Sequence, residues 1–206
     1  GRLLAHPWVG GMACPQFHSL DLDGDGIEER LVFDRVDQSL MIYQRSGAGP
    51  SYSWTPAPRF LPLFPRLDSW VECGDFDGDG HKDLFTSNNG GVTVYRNNGT
   101  GQSPRFSLRV ASLQAMMQFG FRSGIYVNSI DRPGLADLDG DGDLDLLVGT
   151  LKGKVAYFSN TAGAGKPVAW SFVDSNYLGK NPNFDESNAS PCLYDHNKDG
   201  KMDLLV

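Results

Sequence analysis

Short acidic loops hold the residues of this sequence that are best suited to chemistry. Each loop has nine positions, with oxygen-bearing side chains at positions 1, 3 and 5 and a carboxylate at position 9. Glycine at positions 4 and 6 of the first three copies allows a tight backbone curl. The four copies are residues 21–29, 75–83, 137–145 and 195–203. Hard divalent cations prefer such oxygen donors, so the loops predict calcium sites.

The predicted ligands are the same five positions in every copy, and position 7 contributes its backbone carbonyl. The first site comprises Asp21, Asp23, Asp25, the Ile27 carbonyl and Glu29. The second comprises Asp75, Asp77, Asp79, the His81 carbonyl and Asp83, and the third Asp137, Asp139, Asp141, the Asp143 carbonyl and Asp145. The fourth comprises Asp195, Asn197, Asp199, the Lys201 carbonyl and Asp203. Up to four Ca²⁺ ions are expected, and the fourth site should be weaker because an amide replaces one carboxylate.

The loop pattern is also partly compatible with two other kinds of structure. An EF-hand shares the first half of the pattern but needs a bidentate Glu at position 12 and flanking helices. Position 12 is Val32, Thr86, Val148 and Val206 in the four copies, so the EF-hand is excluded. A metal-free turn is the second possibility, because Asp and Gly are common in turns. Four copies that all keep an acid at position 9 favour calcium.

The segments around the loops repeat as well. The first aspartates are separated by 54, 62 and 58 residues, a spacing typical of repeat architectures. An apolar run, a turn and a second run ending in an aromatic residue follow each of the first three loops, and a further aromatic run comes after them. The aromatic residues are Tyr43, Tyr95 and Phe158 in the second run, and Trp54, Phe106 and Trp170 in the next. Each period therefore predicts about four short strands.

Four strands are the content of one β-propeller blade. The predicted fold is all-β, with blades of four-stranded antiparallel sheets in a single region spanning residues 1–206. The last blade is incomplete, because the chain stops within a strand, and the region is expected to be part of a larger, about seven-bladed, propeller. The one stretch with a helical composition is residues 112–119.

Composition limits the partners. The net charge of the 206 residues is −7, and fifteen of the 25 acidic residues are predicted ligands, four in each of the first three loops and three in the last. A local acidity of this kind argues against nucleic acid, which needs a basic face. No apolar run is long enough to span a membrane. Cys14, Cys73 and Cys192 form no CxxC pair, which disfavours a zinc site and leaves one disulfide open.

An enzymatic function is not predicted. The histidines occupy different repeat positions, and no GxSxG, HExxH or P-loop motif is present. These histidines are His6, His18, His81 and His196. A carbohydrate-binding alternative would need exposed aromatic residues, for which Trp54, Trp70 and Trp170 are candidates, although propeller aromatics pack more often between blades.

In its loops the sequence resembles the FG-GAP/VCBS repeat family, whose calcium-loop blades are also found in integrin α-subunit propellers. Residues 125–134 leading into Asp137, and Trp70 leading into Asp75, are similar to secreted or surface repeat proteins of Bacteroidetes-type bacteria. The first copy departs from the family pattern at Glu29 and Arg30.

The resemblance implies a calcium-stabilised propeller, secreted or at the cell surface, that acts as a scaffold for adhesion or protein interaction. Its partner would be a protein or glycan ligand on the propeller face, with the remaining blades coming from a longer chain or a partner chain. A lectin-like propeller and the non-catalytic propeller of a larger secreted enzyme are the alternatives.

Overall fold

The computed structural model describes residues 11–47, 52–99, 104–163, 166, 168–177, 179, 189–199 and 202–205. The first antiparallel sheet contains β1 (Pro15–Leu20), β2 (Glu29–Asp34), β3 (Ser39–Ser46) and β4 (Ser53–Pro56), in that spatial order. A 3-10 helix, Pro58–Leu63, follows. The second sheet contains β5 (Val71–Gly74), β6 (Asp83–Asn88), β7 (Gly91–Asn97) and β8 (Phe106–Val110) in the same order.

The third sheet is larger. A hairpin of β9 (Gln114–Met116) and β10 (Arg122–Gly124) precedes β11 (Arg132–Ala136), β12 (Asp145–Gly149), β13 (Val155–Asn160) and β14 (Trp170–Asp174). Strand β9 pairs in parallel with β14, so the hairpin extends the sheet to six strands. Finally, β15 (Cys192–Tyr194) pairs with β16 (Asp203–Leu205). The predicted all-β fold with four-stranded antiparallel units is confirmed.

Residues 112–119, the one stretch with a helical composition, form no helix and contain strand β9. Leu113 and Ala115 are buried while Gln114 and Met116 are exposed, which is the period-2 alternation of a strand. The Leu113 N–H donates to the Val92 carbonyl at 2.8 Å, and that bond ties the segment to the second sheet. Tertiary contacts of this kind override the weak helical propensity of a short segment.

The sheets stack on one another as neighbouring blades do. Strand β1 packs against β5, β5 against β11, and β11 against β15, so the first strands of successive sheets lie side by side. In the first three sheets the second strand is buried on both faces, which is why its sequence is a continuous apolar run. Leu84 packs towards the first sheet and Phe85 towards the third. Leu146 and Leu147 likewise face opposite neighbours, so the core lies between the sheets.

Arg35, which follows β2, ties three sheets together at the end opposite the acidic loops. Its Nε donates to the Ser69 carbonyl at 2.8 Å, ahead of β5. Its Nη2 donates to the carbonyls of Ser129 at 2.5 Å and Asp131 at 2.8 Å, ahead of β11. A single buried guanidinium therefore satisfies backbone acceptors of two neighbouring sheets.

The structure also bears on the cysteines and on the expected absence of a membrane span. Cys14, Cys73 and Cys192 are free thiols, so the disulfide that the sequence left open is not formed. Within the described residues, no helical segment has the length and apolar character needed to cross a membrane.

Gly149, the last residue of β12, is expected to tolerate no side chain. A Cβ there would lie 2.3 Å from the Ala189 carbonyl oxygen and 2.4 Å from Pro191 Cδ. Gly149→Ala should therefore lower the free energy of unfolding by about 1–3 kcal/mol, measured by urea denaturation, because the segment before β15 must move.

Gly74→Ala is the matched control. A Cβ at Gly74 would meet the flexible end of Leu144, at 2.6 Å from Cδ1, and that side chain can move aside. Equal losses in the two variants would contradict the close approach of residue 189 to β12.

Candidate metal centres

The four acidic loops occupy the same place in every sheet. Each loop joins the first strand to the second, and position 9 is the first residue of that second strand. The residue just before each loop pairs with position 9, giving the cross-strand pairs Leu20–Glu29, Gly74–Asp83, Ala136–Asp145 and Tyr194–Asp203. The register is therefore identical in all four copies, including the first, where Arg30 departs from the family pattern.

The first aspartate organises the turn. In the first loop, Asp21 accepts the N–H of Gly24 at 2.7 Å on Oδ1 and that of Gly26 at 3.0 Å on Oδ2. Asp75 and Asp137 accept the equivalent bonds in the second and third loops. Both glycines of the first loop have positive φ, 73° and 80°, a region that side chains with a Cβ rarely adopt.

The carboxylate at position 9 binds the backbone at the start of the loop. Glu29, Asp83 and Asp145 are buried, and each accepts the N–H of position 2, at 2.7, 2.8 and 3.1 Å. Asp203 accepts the same bond in the fourth loop, at 2.8 Å. The acid at position 9 thus fixes the loop to the strand in addition to offering oxygens to an ion.

Three groups of acidic side chains come together. In each group, ligand oxygens of three residues lie within 4.8 Å of one another. The groups are Asp21 with Asp23 and Glu29, Asp75 with Asp77 and Asp83, and Asp137 with Asp139 and Asp141. Positions 1 and 3 belong to all three groups, whereas Asp25, Asp79 and Asp145 lie outside them.

Some oxygens of these groups lack partners. Asp23 Oδ1, Glu29 Oε1 and Asp77 Oδ1 are buried and accept no hydrogen bond among the described residues. A buried unpaired acceptor costs on the order of 1–3 kcal/mol. Hard oxygens that are already buried, desolvated and close together fit a calcium ion, which takes six to eight such ligands.

The environment disfavours bare negative charge at position 9. Burial raises the pKa of Glu29 to about 7, and the neighbouring charges of Asp23, Asp25 and Asp21 act in the same direction. Burial also raises the pKa of Asp83 to about 6, with Asp77 and Asp79 adding to it, and raises that of Asp145. Burial therefore makes the ionised form of each position-9 carboxylate less favourable, and a cation bound nearby would offset that cost.

Position 7 was predicted to contribute its carbonyl. Its N–H donates to the carboxylate of position 5 in the first three loops, from Ile27 at 2.7 Å, His81 at 2.9 Å and Asp143 at 2.9 Å. The Asp143 side chain is buried and accepts the N–H of Gly163 at 2.5 Å, so it braces the third loop. Whether the three carbonyls bind an ion stays a prediction.

The fourth loop differs from the others. Its described acids Asp195, Asp199 and Asp203 do not form a group of the kind found in the first three loops. The Asn197 amide donates to Asp199 Oδ2 at 2.9 Å, and its oxygen accepts the Asp199 N–H at 2.9 Å. Lys201, the predicted carbonyl ligand, lies outside the described residues.

Two asparagines were missed in the sequence. The N–H of Asn97 donates to Asp83 Oδ1 at 2.6 Å, and that of Asn160 to Asp145 Oδ1 at 2.7 Å. Their side-chain oxygens accept backbone N–H groups of the following loops, including that of Ala169 at 2.8 Å. The sequence did contain a signal for them: each asparagine lies two residues after the aromatic residue that ends the second run, Tyr95 or Phe158.

The first strands face a cavity of about 290 Å³ that is polar but largely uncharged. Burial raises the pKa of Glu72 to about 8 and lowers that of His18 to about 4, so both side chains are mainly neutral at pH 7. Gln16 donates to Glu72 Oε1 at 3.3 Å. Among the described residues, the acidic side chains that lie close enough together to hold a cation are therefore those of the loops and not those of this cavity.

The tryptophans that favoured a lectin lie mostly in the core. Trp70 and Trp170 are 1% and 3% exposed and belong to the cluster between the second and third sheets. Trp54 is half-buried, with the Arg30 guanidinium 5.4 Å from its ring centre. The expectation that propeller aromatics pack between blades therefore holds for two of these three tryptophans, Trp70 and Trp170.

Comparison with known proteins agrees with this geometry. The model of the FG-GAP-like repeat matches the chain three times, over residues 21–86, 75–118 and 137–206. Each match contains at least one acidic loop, and together they cover well over half of the chain. No curated protein and no solved structure matches the chain. By these matches and by the repeated strand–loop–strand unit, the chain belongs to the FG-GAP-like repeat family.

Proposed function

We propose that this chain is a calcium-stabilised scaffold of β-propeller blades that acts outside the cell in adhesion or protein interaction. The observation that carries the proposal is the set of three acidic groups, each at the same turn of its sheet and two of them containing buried, unpartnered oxygens. Calcium there would join the first strand of a blade to the second, so binding energy becomes folding energy.

The proposed extracellular location agrees with the affinity that we expect for these sites. Calcium sites of extracellular modules bind at about 10⁻⁴–10⁻³ M, which fills them outside a cell and leaves them mostly empty in cytosol.

We also propose that these residues are not catalytic. The described carboxylates that lie close together belong to the acidic loops, where an ion would occupy them. A protein or glycan ligand on the propeller face is the proposed partner, and loops positioned by a rigid scaffold commonly carry such specificity. The lectin alternative is weakened because Trp70 and Trp170 are buried.

Isothermal titration of the chelator-treated protein with CaCl₂ tests the proposal. We expect at least three binding events, with dissociation constants of about 10⁻⁴–10⁻³ M. MgCl₂ is the control and should bind more weakly, because Mg²⁺ demands octahedral geometry and gives up its water reluctantly. A chain that binds no calcium at millimolar concentration would contradict the proposed function.

A further inference from the structure

Two of the acidic loops have an arginine against the carboxylate at position 3. In the first loop, Arg59 Nη2 lies 3.2 Å from Asp23 Oδ2. In the second loop, Arg96 pairs with two carboxylates: its Nε lies 2.5 Å from Asp77 Oδ2 as an ion pair without hydrogen-bond geometry, and its Nη2 donates to Asp79 Oδ2 at 3.0 Å. Both guanidinium groups contact the same oxygen, Oδ2, of the position-3 aspartate.

The other oxygen of each aspartate is the one without a partner. Asp23 Oδ1 and Asp77 Oδ1 are both buried and unpaired, and both residues belong to the acidic groups with positions 1 and 9. A carboxylate is planar, so holding Oδ2 from outside the loop fixes the direction of Oδ1.

The two arginines reach this position from different elements. Arg59 lies in the 3-10 helix after β4, where Gln44 Oε1 accepts from its Nη1 at 2.7 Å and its guanidinium lies 4.1 Å from the ring centre of Phe60. Arg96 lies on β7, next to the second strand of its own sheet. The same contact is thus built twice from unrelated backbone positions.

The third loop orients its aspartate differently. Asp139 Oδ1 accepts the N–H of Asp141 at 3.2 Å, within the loop itself. Asp139 is exposed, whereas Asp77 has only 11% of its side chain exposed. The sites are therefore not equivalent.

We propose that Arg59 and Arg96 are positioning residues of the first and second calcium sites, each holding the position-3 carboxylate so that Oδ1 faces the ion. The inference rests on the proposed calcium-binding function. Without the guanidinium, the carboxylate is free to rotate away from the like charges beside it. Groups that orient metal ligands in this way typically contribute 10- to 100-fold in metal affinity.

The guanidinium also repels the ion, and the two effects oppose each other. Water reaches both arginine side chains, which are 53% and 35% exposed, and screens that repulsion. The direction of a buried oxygen is not screened. Each guanidinium is also already paired with a carboxylate, which offsets part of its charge, so we expect orientation to outweigh repulsion at both sites.

The test is calcium titration of Arg96→Ala by isothermal calorimetry. One binding step should weaken at least tenfold, and Arg59→Ala combined with Arg96→Ala should weaken two steps. Arg109→Ala, which removes an exposed arginine from the adjacent strand β8, is the charge-matched control and should leave every step unchanged. Arg96→Lys keeps the charge without the fork and should give an intermediate loss, so it serves if the alanine variant does not fold.

The outcomes separate the two proposals. Unchanged or tighter calcium binding by Arg96→Ala overturns the positioning role, as does a lower melting temperature in chelator with calcium affinity intact, which is the mark of a merely structural residue. Failure of the unsubstituted chain to bind calcium refutes the proposed function itself.

Discussion

Removing calcium with EDTA is expected to lower the melting temperature by about 10–20 °C. At ten times the dissociation constant, each filled site adds about 1.4 kcal/mol to the free energy of unfolding. Three or four such sites give about 4–6 kcal/mol, and each kcal/mol shifts the melting temperature of a chain of this size by about 2–4 °C. The physical reason lies in the acidic groups, where three residues bring carboxylate oxygens within 4.8 Å of one another. A bound ion would offset the repulsion between them.

Melting followed by circular dichroism, in EDTA and then in excess CaCl₂, measures the effect. Calcium should restore the original melting temperature, and the same concentration of MgCl₂ should restore less of it. An identical melting curve with and without chelator would show that the loops are turns and not ion sites.

Asp83→Ala is expected to be among the most damaging single substitutions in the chain. Asp83 is buried and accepts two backbone N–H groups, from Phe76 at 2.8 Å and from Asn97 at 2.6 Å. Alanine leaves both donors unsatisfied, at about 1–3 kcal/mol each, and also removes a predicted calcium ligand. We expect the free energy of unfolding in saturating calcium to fall by about 3–5 kcal/mol.

Urea denaturation in calcium and in EDTA checks this expectation. The loss should be smaller in EDTA, because the raised pKa of Asp83 shows that its ionised form is disfavoured when no cation is present, and alanine removes that unfavourable charge. Asp37→Ala, which deletes an exposed acid with the same charge, is the control and should change stability little. Equal losses in both variants would mean that Asp83 does not anchor its loop.

Much of the local structure could be predicted from the sequence. The loop boundaries, a strand in the apolar run after each loop and about four strands per repeat all follow from short-range rules. Gly24 and Gly26 mark a turn with positive φ, and Leu84 next to Phe85 indicates a strand buried on both faces. Departures such as Arg30 did not disturb the register, because the pairing of Leu20 with Glu29 depends on backbone bonds and on the loop.

What the sequence by itself determined about this protein is therefore the repeat, the strand–loop–strand unit and the set of acids that can hold calcium. Only the tertiary structure decided which acids form each group, that residues 114–116 are a strand, and that Arg59, Arg96, Asn97 and Asn160 support the loops. The physical reason is the range of the interactions. Loop and strand formation depends on neighbouring residues, whereas Arg59 lies 36 residues from Asp23 and meets it only after the first sheet has folded.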